Sequence, residues 1–138
     1  MSTRSVIAVQ TEDGIKAAYC HHDGYPSWVG YILLHHYNSQ EQVEELVANG
    51  HMDSLHKTLE SCVFHHRDWD RDWEKCKPAV HDTMVDFCET WCTFDREWAY
   101  LFRDGQWEWA KVYWSDALPT GPGHFEPLTE SVADTVSH

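Results

Sequence analysis

The sequence predicts an α+β domain in which two β-hairpins form one antiparallel sheet and helices pack on one of its faces. Three observations carry that prediction. Residues 4–11 are β-branched and alternating, turn at Asp13-Gly14, and return as residues 15–22. Near the other end EWAYLFR and QWEWAKVYW flank Asp104-Gly105, a second two-residue turn. Between the hairpins, apolar residues recur at helical steps of three and four. The expected order is β-β-α-α-α-α-β-β.

Pro26 suits a first helical turn, and Val29, Ile32, Leu33 and His36 follow at helical spacing, with Gly30 as a close-packing position. Ser39 with Gln42 resembles a capping box for a short helix through Val43, Leu46 and Val47 that stops at Asn49-Gly50. Leu55, Leu59, Cys62, His66, Trp69, Trp73 and Cys76 then make one stripe of a long helix ended by Pro78. In it, RDWD and RDWE would stack acids, arginines and tryptophans in separate rows. A fourth helix is expected to about Cys92, apolar at Val80, Met84, Phe87, Cys88 and Trp91, with Asp82, Asp86 and Glu89 on another face. The last hairpin should pair Phe102 with Trp107, Tyr100 with Trp109 and Trp98 with Lys111, an aromatic face turned to the helices. The opposite face, with Ala99, Leu101 and Glu108, is expected to see more solvent. Residues 1–114 read as a single domain, and 115–138, with three prolines, two glycines and no Lys or Arg, as a loosely attached acidic tail.

Composition narrows the partners. The chain has 138 residues, 23 acidic against 10 basic side chains, and a formal charge of −13. Direct nucleic-acid binding is disfavoured, because it relies on Lys and Arg at phosphates. A protein or nucleoprotein with a basic surface fits better. Protonating the eleven histidines would cancel most of that charge, so mild acid should weaken both solubility and charge-steered association. There is no signal-peptide pattern and no apolar run of membrane-spanning length, so a cytoplasmic protein is expected, with its five cysteines reduced. Self-association into a homo-oligomer is left open.

Thr3-Arg4-Ser5 with the strand behind it, Asp13-Gly14, the block YCHHDGYPSWVGYILLHHY at 19–37, and Gly50 with Ser54-Leu55 carry a resemblance. The chain resembles a family of short phage and bacterial proteins with a TRS-type strand and a YCHWDGYP…VG…LL.HY block. His22 stands where that pattern usually has tryptophan, and the resemblance covers the N-terminal part of the chain, with a weaker echo at the aromatic hairpin. It implies a phage-type accessory protein, one that would work in the host cytoplasm, and brings no activity with it.

Several clusters suggest chemistry and also have plainer explanations. Cys20, His21, His22, His35 and His36, with Cys62, His65 and His66, contain zinc-ligand types but lack the tight ligand spacing of a zinc site. Adjacent histidines also point in different directions. No metal or cofactor is expected, with Cys20, His22 and His36 as weak candidate ligands. Cys88 and Cys92 fit an apolar stripe better than a clasp. Cys20 with His22, or His22 with Asp23, could form a reactive pair, but no nucleophile elbow or phosphate-cradling loop accompanies them. The segment Asp23-Gly24-Tyr25-Pro26 reads as a corner, with Asp23 accepting backbone N–H groups and Gly24 at positive φ.

The expected function is therefore non-enzymatic: binding of a host nucleic-acid-binding or antiviral defence complex, such as CRISPR or restriction machinery, by charge mimicry. Asp68, Asp70, Asp72, Glu74, Asp82, Asp86 and Glu89 would supply the charge, and Trp69 and Trp73 the anchors. Two alternatives are a small ligand-binding domain with its pocket at His22, Asp23, Tyr25 and Trp28, and a zinc- or cysteine-dependent hydrolase.

Overall fold

The computed structural model describes residues 3–92, 96–112 and 124–136. Both hairpins form. Strands β1 (Ser5–Thr11) and β2 (Gly14–Cys20) pair from Thr11 opposite Gly14 to Ser5 opposite Cys20. Strands β6 (Trp98–Arg103) and β7 (Gln106–Lys111) put Phe102 opposite Trp107, Tyr100 opposite Trp109 and Trp98 opposite Lys111. Between them Asp104 and Gly105 both have positive φ, 54° and 74°, the backbone a type I′ turn requires.

The hairpins do not join into an antiparallel sheet. β1 lies parallel to β6, with Ser5 opposite Trp98 and Val9 opposite Phe102. The result is a mixed eight-stranded sheet. The main order is β4-β3-β2-β1-β6-β7-β8, where β3 is Met52–Ser54, β4 is Val63–Phe64 and β8 is Glu126–Pro127. Strand β5 (Ala79–His81) also pairs with β2, so two strands share the outer edge of β2. β5 runs antiparallel along Ile15 to Ala17, and β3 joins in parallel at Cys20 opposite Met52. Gly14 allows this close approach: its φ is +122°, and a Cβ there would run into the His81 carbonyl oxygen.

Helices are not four in a row either. A π-helical turn (Pro26–Gly30) leads into α1 (Tyr31–His36), followed by α2 (Gln40–Ala48), α3 (Trp73–Cys76), α4 (Met84–Trp91) and α5 (Glu130–Thr135). Ser39 Oγ accepts from Gln42 N at 3.2 Å, and Val43, Leu46 and Val47 are buried, so α2 keeps its cap and its apolar face. The long striped helix is absent. In its place lie β3, β4, turns and the single turn of α3. Asp, Ser, Thr and Arg side chains there bond to backbone that a helix would have paired within itself. Asp68 Oδ2 accepts from Phe64 N at 2.8 Å, and Arg67 donates to the carbonyls of Leu59 and Cys62, both at 2.8 Å. Asp70 has φ +53°, outside the helical region. The fourth helix starts late, because Ala79–His81 is strand and Thr83 caps α4 by accepting from Asp86 N.

Both sheet faces are covered. The aromatic face carries Trp98, Tyr100, Phe102, Trp107 and Trp109 and packs with Val29, Leu33, Leu46 and Leu128. The opposite face, with Val6, Ala8, Ala17, Ala99 and Leu101, is closed by Phe87 and Trp91 of α4 rather than facing solvent. Burying a side chain such as Phe87 stabilises by about 2–3 kcal/mol. Of the C-terminal tail, residues 124–136 add β8 and α5, with Leu128 and Ala133 buried. The rest of it, through 123 and at 137–138, lies outside the described residues. Among the described residues, no helix is long and apolar enough to cross a membrane.

Candidate functional site: an exposed aromatic and histidine surface

Beyond β4 the chain makes a compact turn. Asp70 N and Arg71 N bond to the carbonyls of His66 and His65 at 3.0 and 3.1 Å. Arg67 braces it from below by donating to Asp68 as well as to the 59–62 loop. That bond, together with the one from Phe64 N, holds the Asp68 carboxyl below the usual carboxylate range. The turn presents Trp69 and α3 opens with Trp73, the two rings 44% and 37% exposed. Neither ring is loose. Trp69 stacks on His65 at 5.1 Å with 10° between the planes, and the Arg71 guanidinium sits 5.0 Å from its centroid. Trp73 meets His66 edge-on at 5.1 Å. The His66 ring is fixed in turn by a 2.7 Å bond from Nδ1 to the Arg71 carbonyl, which only an N–H there can make.

The surface continues onto the ends of β2 and β3. His21 N and His22 N bond to the Met52 and Asp53 carbonyls at 3.1 and 3.0 Å, extending the parallel pairing. His22 Nε2 lies 3.4 Å from Asp53 Oδ1, and the Tyr19 hydroxyl is 2.6 Å from His21 Nδ1. The backbone N–H of Tyr19 donates to His51 Nδ1 at 3.1 Å. A ring nitrogen that accepts carries no proton, so His51 is neutral with its hydrogen on Nε2. Burial, with His65 and Arg96 nearby, lowers His51 to about 4. Burial also lowers His65, helped by Arg71, and His21, helped by His22 and Arg4. Burial thus disfavours the charged form of His21, His51 and His65.

Comparison with family models, characterised proteins and solved structures finds no match for the chain. What this surface does must follow from its own chemistry.

The predicted acidic residues, expected on two successive helices, fall into two groups in the structure, one on the turn and α3 and the other after β5 and on α4. Asp68, Asp70, Asp72 and Glu74 surround the two tryptophans, all exposed. Within that group Asp68 is committed to Arg67, Asp72 caps Glu74 N at 3.3 Å, and Glu74 pairs with Lys77 at 2.7 Å. Asp82 follows β5 at the far end of β2, where it lines a cleft of about 370 Å³ with Glu12 and Asp13. Ile15 and Cys20, the β2 residues nearest the two groups, are about 17 Å apart along the strand. Asp86 accepts from His81 Nδ1 at 2.7 Å, while Trp91 Nε1 donates to His81 Nε2 at 2.8 Å. His81 is thus a buried brace for α4, and Glu89 is a solvated helix position.

The corner at 23–26 forms with different parts from those expected. Asp23, not Gly24, takes positive φ, at 57°, and its carboxylate accepts the Tyr25 hydroxyl at 3.1 Å rather than a backbone N–H. Gly24 is needed for space, since a Cβ would press on Ser5 and Thr3. Of the predicted pocket residues His22, Asp23, Tyr25 and Trp28, Trp28 lines the cleft beside the π-helical turn. Among the described residues no group of three His, Cys, Asp or Glu side chains could hold a metal ion, so Cys20, His22 and His36 are not brought together as ligands. Cys20 is fully buried, donates to the His22 carbonyl at 3.6 Å, and has its thiol pushed up to about 12 by burial. It stays protonated and is a poor nucleophile. Sequence reasoning did not assemble His51, Asp53, His65 and His66 into one surface with Trp69. The repeated His-His pair, 21–22 and 65–66, was the available signal.

Proposed function

We propose that the protein acts by binding another protein, with Trp69 and Trp73 as anchors and Asp70, Asp72 and Glu74 as the charged surround. What supports this is the exposure of two large rings, each already fixed by an imidazole, in an acidic setting. Pre-fixed aromatic rings lose little side-chain entropy on association and are frequent hot spots. With a chain charge of −13, the complementary partner is a basic protein surface of the kind that holds nucleic acid. On this reading the protein is a phage-type accessory factor that occupies such a surface in a host nucleic-acid-handling or defence complex, in the host cytoplasm, without chemistry of its own.

The test is a pull-down from host lysate at two salt concentrations with the wild type and with Trp69→Ala/Trp73→Ala. The expected result is a partner retained at low salt and depleted at high salt, since exposed charges are screened. The double variant should bind at least about 30-fold more weakly, from roughly 2 kcal/mol for a central aromatic anchor. Equal retention at both salts sinks the mimicry, and retention by the double variant sinks the anchors.

A further inference from the structure

A second concavity lies apart from that surface. It measures about 620 Å³ and sits between α5, the π-helical turn with the start of α1, and the loop after β3. That volume is typical of sites for small organic ligands. Its floor is Ile32 and Ala133, both buried, and its walls include Trp28 and Tyr31, 38% and 39% exposed. Trp28 is held in place: its indole N–H donates to the Leu55 carbonyl at 3.2 Å, and His56 meets the ring edge-on at 6.1 Å. With that N–H engaged, the indole offers only π and apolar surface to the cleft.

Two charges complete the lining. Lys57 comes from the loop after β3 and Asp134 from α5, both exposed. Among the described residues neither side chain has a hydrogen bond or an ion pair, and they do not pair with each other. A ligand with one cation would be attracted to Asp134 but repelled by Lys57, and an anion would meet the reverse. Opposed like-charge penalties of this kind select a molecule carrying both signs. Lys57 and Asp134 form no ion pair with each other, so the molecule should present its ammonium and carboxylate as separate groups, with an apolar body that can lie on the rings.

We propose that this cleft binds a zwitterionic aromatic ligand of dipeptide size, its ammonium at Asp134, its carboxylate at Lys57 and its rings on Trp28 and Tyr31. None of these residues belongs to the Trp69/Trp73 surface, so the two sites succeed or fail separately.

The probes are the unblocked dipeptide Phe-Phe, 2-phenylethylamine and 3-phenylpropionate, titrated by calorimetry and followed at the Trp28 indole N–H by NMR. The dipeptide should bind about tenfold or more tightly than either singly charged probe, given the strength of a charged hydrogen bond. Asp134→Asn should weaken the dipeptide and the amine about tenfold while sparing the carboxylate, and Lys57→Gln should do the reverse. Both substitutions are at exposed positions and leave the fold intact. No saturable dipeptide binding, or dipeptide binding indifferent to both substitutions, overturns the proposal.

Discussion

Lowering the pH from 7 to 5 should destabilise the fold through His51. Its Nδ1 accepts the Tyr19 backbone N–H, and a proton on that nitrogen abolishes the bond. The unfolded chain takes up this proton near the ordinary 6.5, whereas the folded chain resists until about 4. Between those values the unfolded state binds more protons, so stability is full above the window and falls as the pH drops through it. At pH 5, roughly one and a half pH units inside the window, the cost at about 1.4 kcal/mol per unit is about 2 kcal/mol. The ring is partly exposed, and solvent screening reduces this to about 1 kcal/mol. His51→Asn is the control, because its Oδ1 can take the acceptor position of Nδ1 and does not titrate. Urea unfolding at pH 7 and pH 5 should show the wild type losing about 1 kcal/mol more than the variant. His21 and His65, lowered in the same direction, remain in both proteins and cancel from the comparison. If the variant loses as much stability as the wild type, His51 is not the group that resists the proton.

Trp91→Phe removes the donor to buried His81 Nε2 and should lower stability by about 2 kcal/mol in urea melts with an unchanged m value. Adding His81→Phe, which removes the stranded acceptor too, should recover part of that loss in a double-mutant cycle. Gly14→Ala meets a positive φ and the His81 carbonyl together, so a loss of about 2–4 kcal/mol is expected, read as a lower urea midpoint.

Local structure was legible wherever neighbours in sequence decide it. Asp104-Gly105 fixed the register of β6 and β7, and Ser39 with Gln42 marked the start of α2. The β1–β6 pairing is a contact across most of the chain, and turn chemistry says nothing about it. A signal was nonetheless present. Val6 to Val9 and Trp98 to Phe102 are unbroken apolar runs, all buried, as expected of strands covered on both faces. Alternation belongs to half-solvated strands, and treating the aromatic hairpin as one led to the expectation of an open face. The helix from 53 to 76 failed for a different reason. Periodicity counted Cys62, His66 and Trp69 as a stripe but not the backbone bonds of Arg67 and Asp68, which favour turns. That failure changes the setting of the site: Trp69 sits on a surface turn and Trp73 opens the single turn of α3, instead of both lying on one long helical stripe.

The outer edge of β2 has a consequence for solubility. β5 covers one end and β3 the other, and between them the amide of Tyr19 is met by the His51 imidazole instead of a strand. A side chain thus closes a seam that would otherwise offer an amide to a foreign strand, the usual starting point for edge-to-edge aggregation. The closure depends on proton occupancy. Acid that protonates His51, near pH 4, opens the seam. Pairing of a second copy at this strand edge is therefore expected as the pH falls toward 4, read as a concentration-dependent rise in light scattering.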